Sequence, residues 1–345
     1  MDAIFSQKGA LRWSALCALI VAGLQAAAPA QAADAACRYQ EIATLPLELL
    51  DQSAAPVMQG SINDQPVRML LDTGAQHTYL IKAEMDRQGL SMARQKRQIA
   101  GVGGATSMLL VRIRDMAVGP AHVSNANFSV VDALDKAKFA AIVGADFLSQ
   151  ADMEVSLAEQ QAKFFHADGC RDKALAYWDS KALDIPMQSI SLKDQRQVIE
   201  VEVNGQKVRA IIDTGASFSV LSLAAAERAG VTPQSAGVGP AGFMSGVGSE
   251  KVAAYNAPFE TFSIGDETIR HPHIRIADWH LTQWFGRNGP EMLLGRDFLK
   301  THHVLLAMSQ NRLYFSYLGG QVFLNPPKDV ATAPAVAPDA GHGQP

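Results

Sequence analysis

One phrase, written twice, limits what this chain can fold into. Val67-Arg68-Met69-Leu70-Leu71-Asp72-Thr73-Gly74-Ala75 returns as Val208-Arg209-Ala210-Ile211-Ile212-Asp213-Thr214-Gly215-Ala216. In each copy a short apolar run ends in a carboxylate, and Thr-Gly follows at once. An apolar run of this length bounded by turn residues reads as a buried strand. Each Asp therefore stands where a core strand breaks into a tight glycine turn. A carboxylate is costly to bury alone, and two brought together perturb each other strongly.

The repetition extends well beyond the phrase, and internal repeats decide architecture. Unit 1 runs over residues 45–165 and unit 2 over residues 185–324, with three landmarks in the same order. The first is a hairpin leading into the Asp turn. Ile199-Glu200-Val201-Glu202-Val203 alternates as a half-buried strand should, Asn204-Gly205 supplies the turn, and residues 207–212 return. Unit 1 repeats this more loosely, turning at Asn63-Asp64-Gln65. After the Asp turn, unit 2 predicts a helix over residues 223–229, with Ser222 as N-cap and Gly230 just past the end. Unit 1 predicts a weaker helix over residues 83–88.

The second landmark is glycine-rich: Gly101-Val102-Gly103-Gly104, then Gly246-Val247-Gly248-Ser249. A hairpin with glycines at its tip can move and can approach a ligand closely. Neither copy ends in Lys-Ser/Thr or opens a helix within a βαβ unit, so a phosphate loop is excluded. The third landmark is Ile142-Val143-Gly144-Ala145-Asp146-Phe147-Leu148, echoed by Leu293-Leu294-Gly295-Arg296-Asp297-Phe298-Leu299. Each reads as a buried strand end, a glycine, and a short helix whose Asp is placed to cap it.

The remaining chain sets compartment and partners. With 345 residues, 48% of them hydrophobic, there is material for two lobes with sizeable cores. A net charge of −4 offers no pull toward nucleic acid or anionic membranes. Residues 1–32 read as a signal peptide: Lys8 and Arg12, an apolar run over residues 13–24, and a small-x-small site at Ala30-Gln31-Ala32. That run is shorter than the roughly 20 residues a spanning helix needs, and an uncleaved anchor is the alternative reading. The expected mature protein is exported, periplasmic or secreted, and free of the membrane after cleavage. Residues 33–44 form an N-terminal segment, and whether it acts as a pro-segment is left open. Residues 166–184 form a polar linker, and the Pro/Ala-rich residues 325–345 form a disordered tail. Cys37 and Cys170 remain in the mature chain as candidates for one disulfide, with free thiols or a partner-linked pair as alternatives. His271, His273, His280, His302 and His303 invite a metal, but zinc needs three or four converging ligands and no cysteine joins them. No metal or cofactor is expected.

On the two Asp-Thr-Gly-Ala turns, the glycine hairpins and the paired Gly-x-Asp-Phe-Leu segments, each unit resembles a subunit of the retropepsin-like aspartic proteases. One Asp-Thr-Gly is an ordinary turn; two copies with ordered companions are specific. The resemblance implies a mainly β protein of two retropepsin-like β-barrel lobes related by a pseudo-two-fold, each with a short helix. It further implies an aspartic endopeptidase in which Asp72 and Asp213 face each other and share one proton. The ionised carboxylate would activate a water and the protonated one would hydrogen-bond the scissile carbonyl. Thr73 and Thr214 would hydrogen-bond across the interface, and Gly74 and Gly215 would let backbone approach the carboxylates. Gly101, Val102, Gly103, Gly104, Gly246, Val247 and Gly248 would form flaps over an extended polypeptide. A disulfide between Cys37 and Cys170 would staple the ends of the first lobe beside the interface. The expected active form is a monomer with intramolecular lobe pairing, and a homodimer is the variant. A catalytically silent peptide-binding or scaffold protein with the same fold is the rival reading.

Departures from the family pattern bear on specificity. Where retroviral proteases carry acidic residues after Asp-Thr-Gly-Ala, this chain has Gln76-His77 and Ser217-Phe218. Arg296 has only Ala145 as its counterpart, so an Arg–carboxylate tie and the substrate preference do not carry over. Ala75 and Ala216 stand where a hydroxyl would favour the ionised Asp, which predicts a mildly acidic optimum. Unit 2 is also longer and aromatic over residues 279–285, read as a packed surface loop, with a lid or subsite wall as the alternative.

Overall fold

The computed structural model describes residues 36–50, 54–132, 134, 137–248, 250–279 and 289–323, with backbone only for 95–100. The expected signal peptide, the tail and residues 280–285 of the aromatic insertion lie outside the described residues. The protein is mainly β, as its two rounds of alternating and apolar strand patterns require. Among the described residues no helix is long and apolar enough to cross a membrane.

Each lobe is built around the hairpin that carries its Asp. In the first lobe Ala55–Ile62 pairs antiparallel with Gln65–Leu71; in the second Asp194–Val203 pairs with Gln206–Ile212. The turns need left-handed backbone, and Asn63 (φ 50°), Asp64 (φ 67°), Asn204 (φ 50°) and Gly205 (φ 74°) provide it. Glu200 and Glu202 face solvent while Val201 and Val203 are buried, so the alternation was read on the correct face. The next strand in the core is threaded from later in the chain. Ala141–Val143 runs parallel to Gln65–Leu71 and antiparallel to Tyr79–Ile81. Met292–Leu294 does the same between Gln206–Ile212 and Val220–Ser222. These are the apolar halves of the Gly-x-Asp-Phe-Leu segments, buried on both sides as their composition demands.

In the first lobe Gly104–Val118 and Ala121–Val131 complete a closed barrel, because Gly104–Val118 pairs back onto Ala55–Ile62. The second lobe makes the same circuit with both of those strands broken. Val252–Pro258 is followed by Thr261–Ile264, and Glu267–Arg270 by His273–Ala277. Pro258 and Pro272 sit at the breaks, where a missing N–H ends a ladder. The predicted helices form at Lys82–Arg87 and Leu223–Arg228, the latter capped by Ser222 Oγ accepting from the Ala225 N–H (3.2 Å).

The lobes are joined by one shared sheet whose strand order is its own mirror. Arg38–Pro46, Gln161–Asp168 and Asp152–Ser156 come from the start and end of the first lobe. His302–Ala307, Arg312–Tyr317 and Leu183–Ser191 come from the end and start of the second. They meet where Met153, Glu154 and Val155 pair with Leu306, Leu305 and Val304. Residues 38–46, expected to fall mostly in a separate N-terminal segment, are thus an edge strand of this sheet. The linker is correspondingly shorter, with strand continuing to Asp168 and resuming at Leu183. Cys37 and Cys170 are disulfide-bonded beyond the Arg38–Asp168 pair, clamping the ends of the edge ladder. Apolar packing is continuous through the interface: Leu71, Leu80 and Val143 share one cluster with Ile212, Leu221 and Leu294.

Candidate active site

Asp72 and Asp213 each leave the end of a core strand and are held at their N–H by the threaded strand beside them. The acceptors are the Val143 carbonyl (3.1 Å) and the Leu294 carbonyl (3.0 Å). Each side chain is then fixed by its own turn. Asp72 Oδ1 accepts from the N–H groups of Gly74 and Ala75 (both 3.0 Å), and Asp213 Oδ1 from those of Gly215 and Ala216 (both 2.9 Å).

The two turns interlock. Thr73 Oγ1 donates to the Ile212 carbonyl (2.6 Å) and accepts from the Thr214 N–H (3.0 Å). Thr214 Oγ1 donates to the Leu71 carbonyl (2.7 Å) and accepts from the Thr73 N–H (3.0 Å). The closeness this enforces explains the glycines. A Cβ on Gly74 would lie 2.3–2.5 Å from the Asp213 carboxyl atoms, and one on Gly215 would lie equally close to those of Asp72. No side chain fits there.

The Gly-x-Asp-Phe-Leu segments support these turns from behind, and not as helix caps. Gly144 and Gly295 occupy the cap positions, without a side-chain cap. Asp146 instead accepts from the N–H (3.0 Å) and hydroxyl (2.8 Å) of Thr78, and Asp297 from those of Ser219 (2.8 and 2.6 Å). The hydroxyl residue at the same offset after each Asp-Thr-Gly, Thr78 and Ser219, is the sequence signal for this tie. A Cβ on Gly144 would strike the His77 carbonyl (2.4 Å), and one on Gly295 that of Phe218 (2.7 Å).

The arginine question resolves differently in the two lobes. Arg296, buried, donates to the carbonyls of Thr214 (2.9 Å) and Gly215 (2.6 Å) and to Ser217 Oγ (2.7 Å). Ala145 cannot do this for the first lobe. There Arg196, paired with Asp194, reaches across from the second lobe and donates to the Gly74 carbonyl (3.3 Å). Both turns therefore carry a buried guanidinium on the carbonyl of their glycine, supplied by different parts of the chain.

The electrostatics of the carboxyl pair are uneven. Burial pushes Asp72 up from the ordinary carboxylate range, and the Asp213 charge pushes it further against the Ala75 and Gly74 N–H groups. Burial also raises Asp213, but the Ala216 N–H, the Arg296 charge and the Gly215 N–H pull it back. Burial and proximity thus favour a single proton shared by the pair.

Over the carboxyls lies a cleft of about 1130 Å³ that both lobes line, with Gly101, Val102, Gly246 and Val247 on its flap side. The flap tips touch. The Gly103 N–H donates to the Val247 carbonyl (3.0 Å) and the Glu250 N–H to the Gly103 carbonyl (2.9 Å). Gly103 and Gly248 are packed too closely for side chains. Gly103, Gly104 and Gly248 thus serve the contact between flaps, away from the cleft lining. Trp279 of the aromatic insertion is buried against Val220, Ala254 and Leu293. The histidines are dispersed: His302 lies between the Phe298 carbonyl and Glu267, His303 against Glu154, and His271 beside Glu260. Among the described residues no group of His, Cys, Asp or Glu is arranged to hold a metal.

Residues 58–150 match the gag-polyprotein aspartyl protease family, and residues 199–298 match the aspartyl protease family. No curated protein matches the chain. Each matched segment contains one Asp-Thr-Gly-Ala turn and the Gly-x-Asp-Phe stretch that follows its threaded strand. The chain has a tandem retropepsin-like aspartyl protease architecture, two such domains in one polypeptide.

Proposed function

We propose that the protein is an aspartic endopeptidase whose catalytic pair is Asp72 and Asp213 of the same chain. The observation that carries this reading is the reciprocal interlock, which sets two glycine-flanked carboxyls at the floor of one cleft. Asp72 holds the shared proton and Asp213 is ionised. Asp213 takes a proton from a water between them as the water attacks the scissile carbonyl. Asp72 hydrogen-bonds that carbonyl oxygen and stabilises it as charge develops. Collapse of the tetrahedral intermediate breaks the C–N bond, with the proton on Asp213 passing to the leaving amine. Gly101–Gly104 and Gly246–Gly248 act as flaps that pair with an extended polypeptide.

The pair is completed within one chain, which supports a monomeric active form. The Cys37–Cys170 disulfide fits export to an oxidising compartment, periplasmic or extracellular, after loss of residues 1–32. The substrate class is polypeptide. The test is cleavage of a peptide library by wild type, Asp72→Asn and Asp213→Asn. Wild type is expected to cut internal bonds, and each variant to lose activity by a factor of about 10³ or more. Full activity in either variant removes the pair from the chemistry. Peptide binding by the wild type without cleavage would make the protein a binding module.

A further inference from the structure

The two halves of the cleft are built on the same frame but are not chemically alike. In the first lobe Tyr79 stands beside Ser129 across a parallel pair of strands; in the second the matching neighbours are Val220 and Arg275. All four line the cleft. The first lobe's pocket is therefore neutral at this point, and the second carries a guanidinium.

Arg275 is held without an anion. Its Cζ lies 3.6 Å from the centroid of the Phe218 ring, a stacked cation–π arrangement that fixes the plane of the guanidinium and leaves its edge donors unused. Among the described residues none supplies it with a carboxylate or a hydrogen-bond acceptor. The nearest acidic influence is Asp297, whose carboxylate is taken up by Ser219 and the Phe298 N–H. The other cation in the lining, Arg196, is paired with Asp194. On the first lobe's side His77, the counterpart of Phe218, lies 3.5 Å from Asp146. A half-buried, aromatic-stacked arginine in a cleft gains most from a ligand carboxylate, which can meet the planar donor pair in bidentate fashion.

We infer that Arg275, stacked on Phe218, forms a subsite for an acidic side chain, so that the substrate is a polypeptide carrying Asp or Glu on one side of the bond attacked. Only one side is specified, because the pseudo-symmetric pocket offers Ser129. This rests on the cleft being a peptide-binding cleft, as proposed above, but not on turnover.

The test uses amidated peptides scanned one position at a time with Glu, Gln and Lys. Cleavage is measured with wild type, Arg275→Gln, Arg275→Lys and Arg275→Glu, and affinity with the same substitutions in an Asp213→Asn background. At a single position wild type is expected to favour Glu over Gln by about tenfold in kcat/KM. The ratio should fall to about one in Arg275→Gln, recover in part in Arg275→Lys and turn toward Lys in Arg275→Glu. Equal use of Glu and Gln by wild type, or a preference that survives Arg275→Gln, overturns the inference while leaving proteolysis intact. A preference that appears only when the peptide carries a free C-terminus also overturns it, since the ligand would then be a terminal carboxylate. If no peptide is cut, the affinity series alone decides: Arg275-dependent preference for Glu upholds the subsite while the protease reading fails.

Discussion

Thr73 and Thr214 each donate a hydroxyl to the strand leading into the other's Asp and accept the other's backbone N–H. Both are buried, so each bond made is one that water cannot replace. Replacing Thr214 with Val keeps the volume but leaves the Leu71 carbonyl and the Thr73 N–H without partners. The expected loss is roughly 2–4 kcal/mol of stability, with a large fall in kcat. The double variant Thr73→Val/Thr214→Val should cost clearly less than the sum of the singles: the four bonds are distinct, but all hold the same two turns together, so losing one pair already weakens the other. Denaturant melts of the four proteins check this, and strict additivity would contradict a shared interlock.

The carboxyl pair should cost stability at neutral pH. Both folded-state pKa values lie above their unfolded values, chiefly through burial. Below the unfolded value near 4 both states are protonated and no cost arises. As pH rises the unfolded chain loses its protons first, so the native state loses ground until the folded pKa is passed. Asp72→Asn removes this dependence. Its melting temperature relative to wild type should rise steadily between about pH 4 and pH 7, and calorimetry across that range would read it. A difference that is flat or falling would mean that Asp72 is not raised.

Arg296 should set the acid side of the activity profile. Its charge helps hold Asp213 ionised. Arg296→Gln should therefore move the acidic limb of kcat/KM upward by about one pH unit, whereas Arg296→Lys, keeping the charge, should move it less. Both limbs belong to the pair and not to either residue alone. Equal profiles in all three proteins would assign Arg296 to structure only.

The disulfide closes a span of 133 residues around the first lobe. Constraining so long a loop is worth about 5 kcal/mol on the chain-entropy account. Cys37→Ser/Cys170→Ser should lower stability by roughly 2–5 kcal/mol, matching wild type melted under reducing conditions. A thiol titration finding two free cysteines in the native protein would rule out the bond.

What the sequence made legible was whatever repeats locally. The Asp turns and the Gly144 and Gly295 segments are short, chemically marked and present twice, and the Asn204-Gly205 hairpin and the Ser222 cap are marked by their own residues in unit 2. What it did not make legible depends on contacts far apart in the chain. Arg196 lies near the start of the second lobe yet bonds Gly74 of the first, and no spacing rule connects them. The Arg275–Phe218 stack is also set by register between separate strands. Asp146 and Asp297 were read as caps because a carboxylate before a short helix usually is one, but the hydroxyls of Thr78 and Ser219 lie closer to hand. The sequence alone sets residues 38–44 apart from the first unit, because an edge strand is marked only by its partner, Gln161–Asp168.

One chain is expected to supply both carboxyls of one site, and a mixing experiment separates this from a site assembled between chains. Initial cleavage rates are measured for wild type, Asp72→Asn, Asp213→Asn and an equimolar mixture of the two variants after co-refolding. Wild type should be active and all three other samples inactive, because every chain in the mixture lacks half of its own pair. Activity in either variant alone would contradict the paired mechanism, and activity recovered only in the mixture would show that the site is assembled between chains.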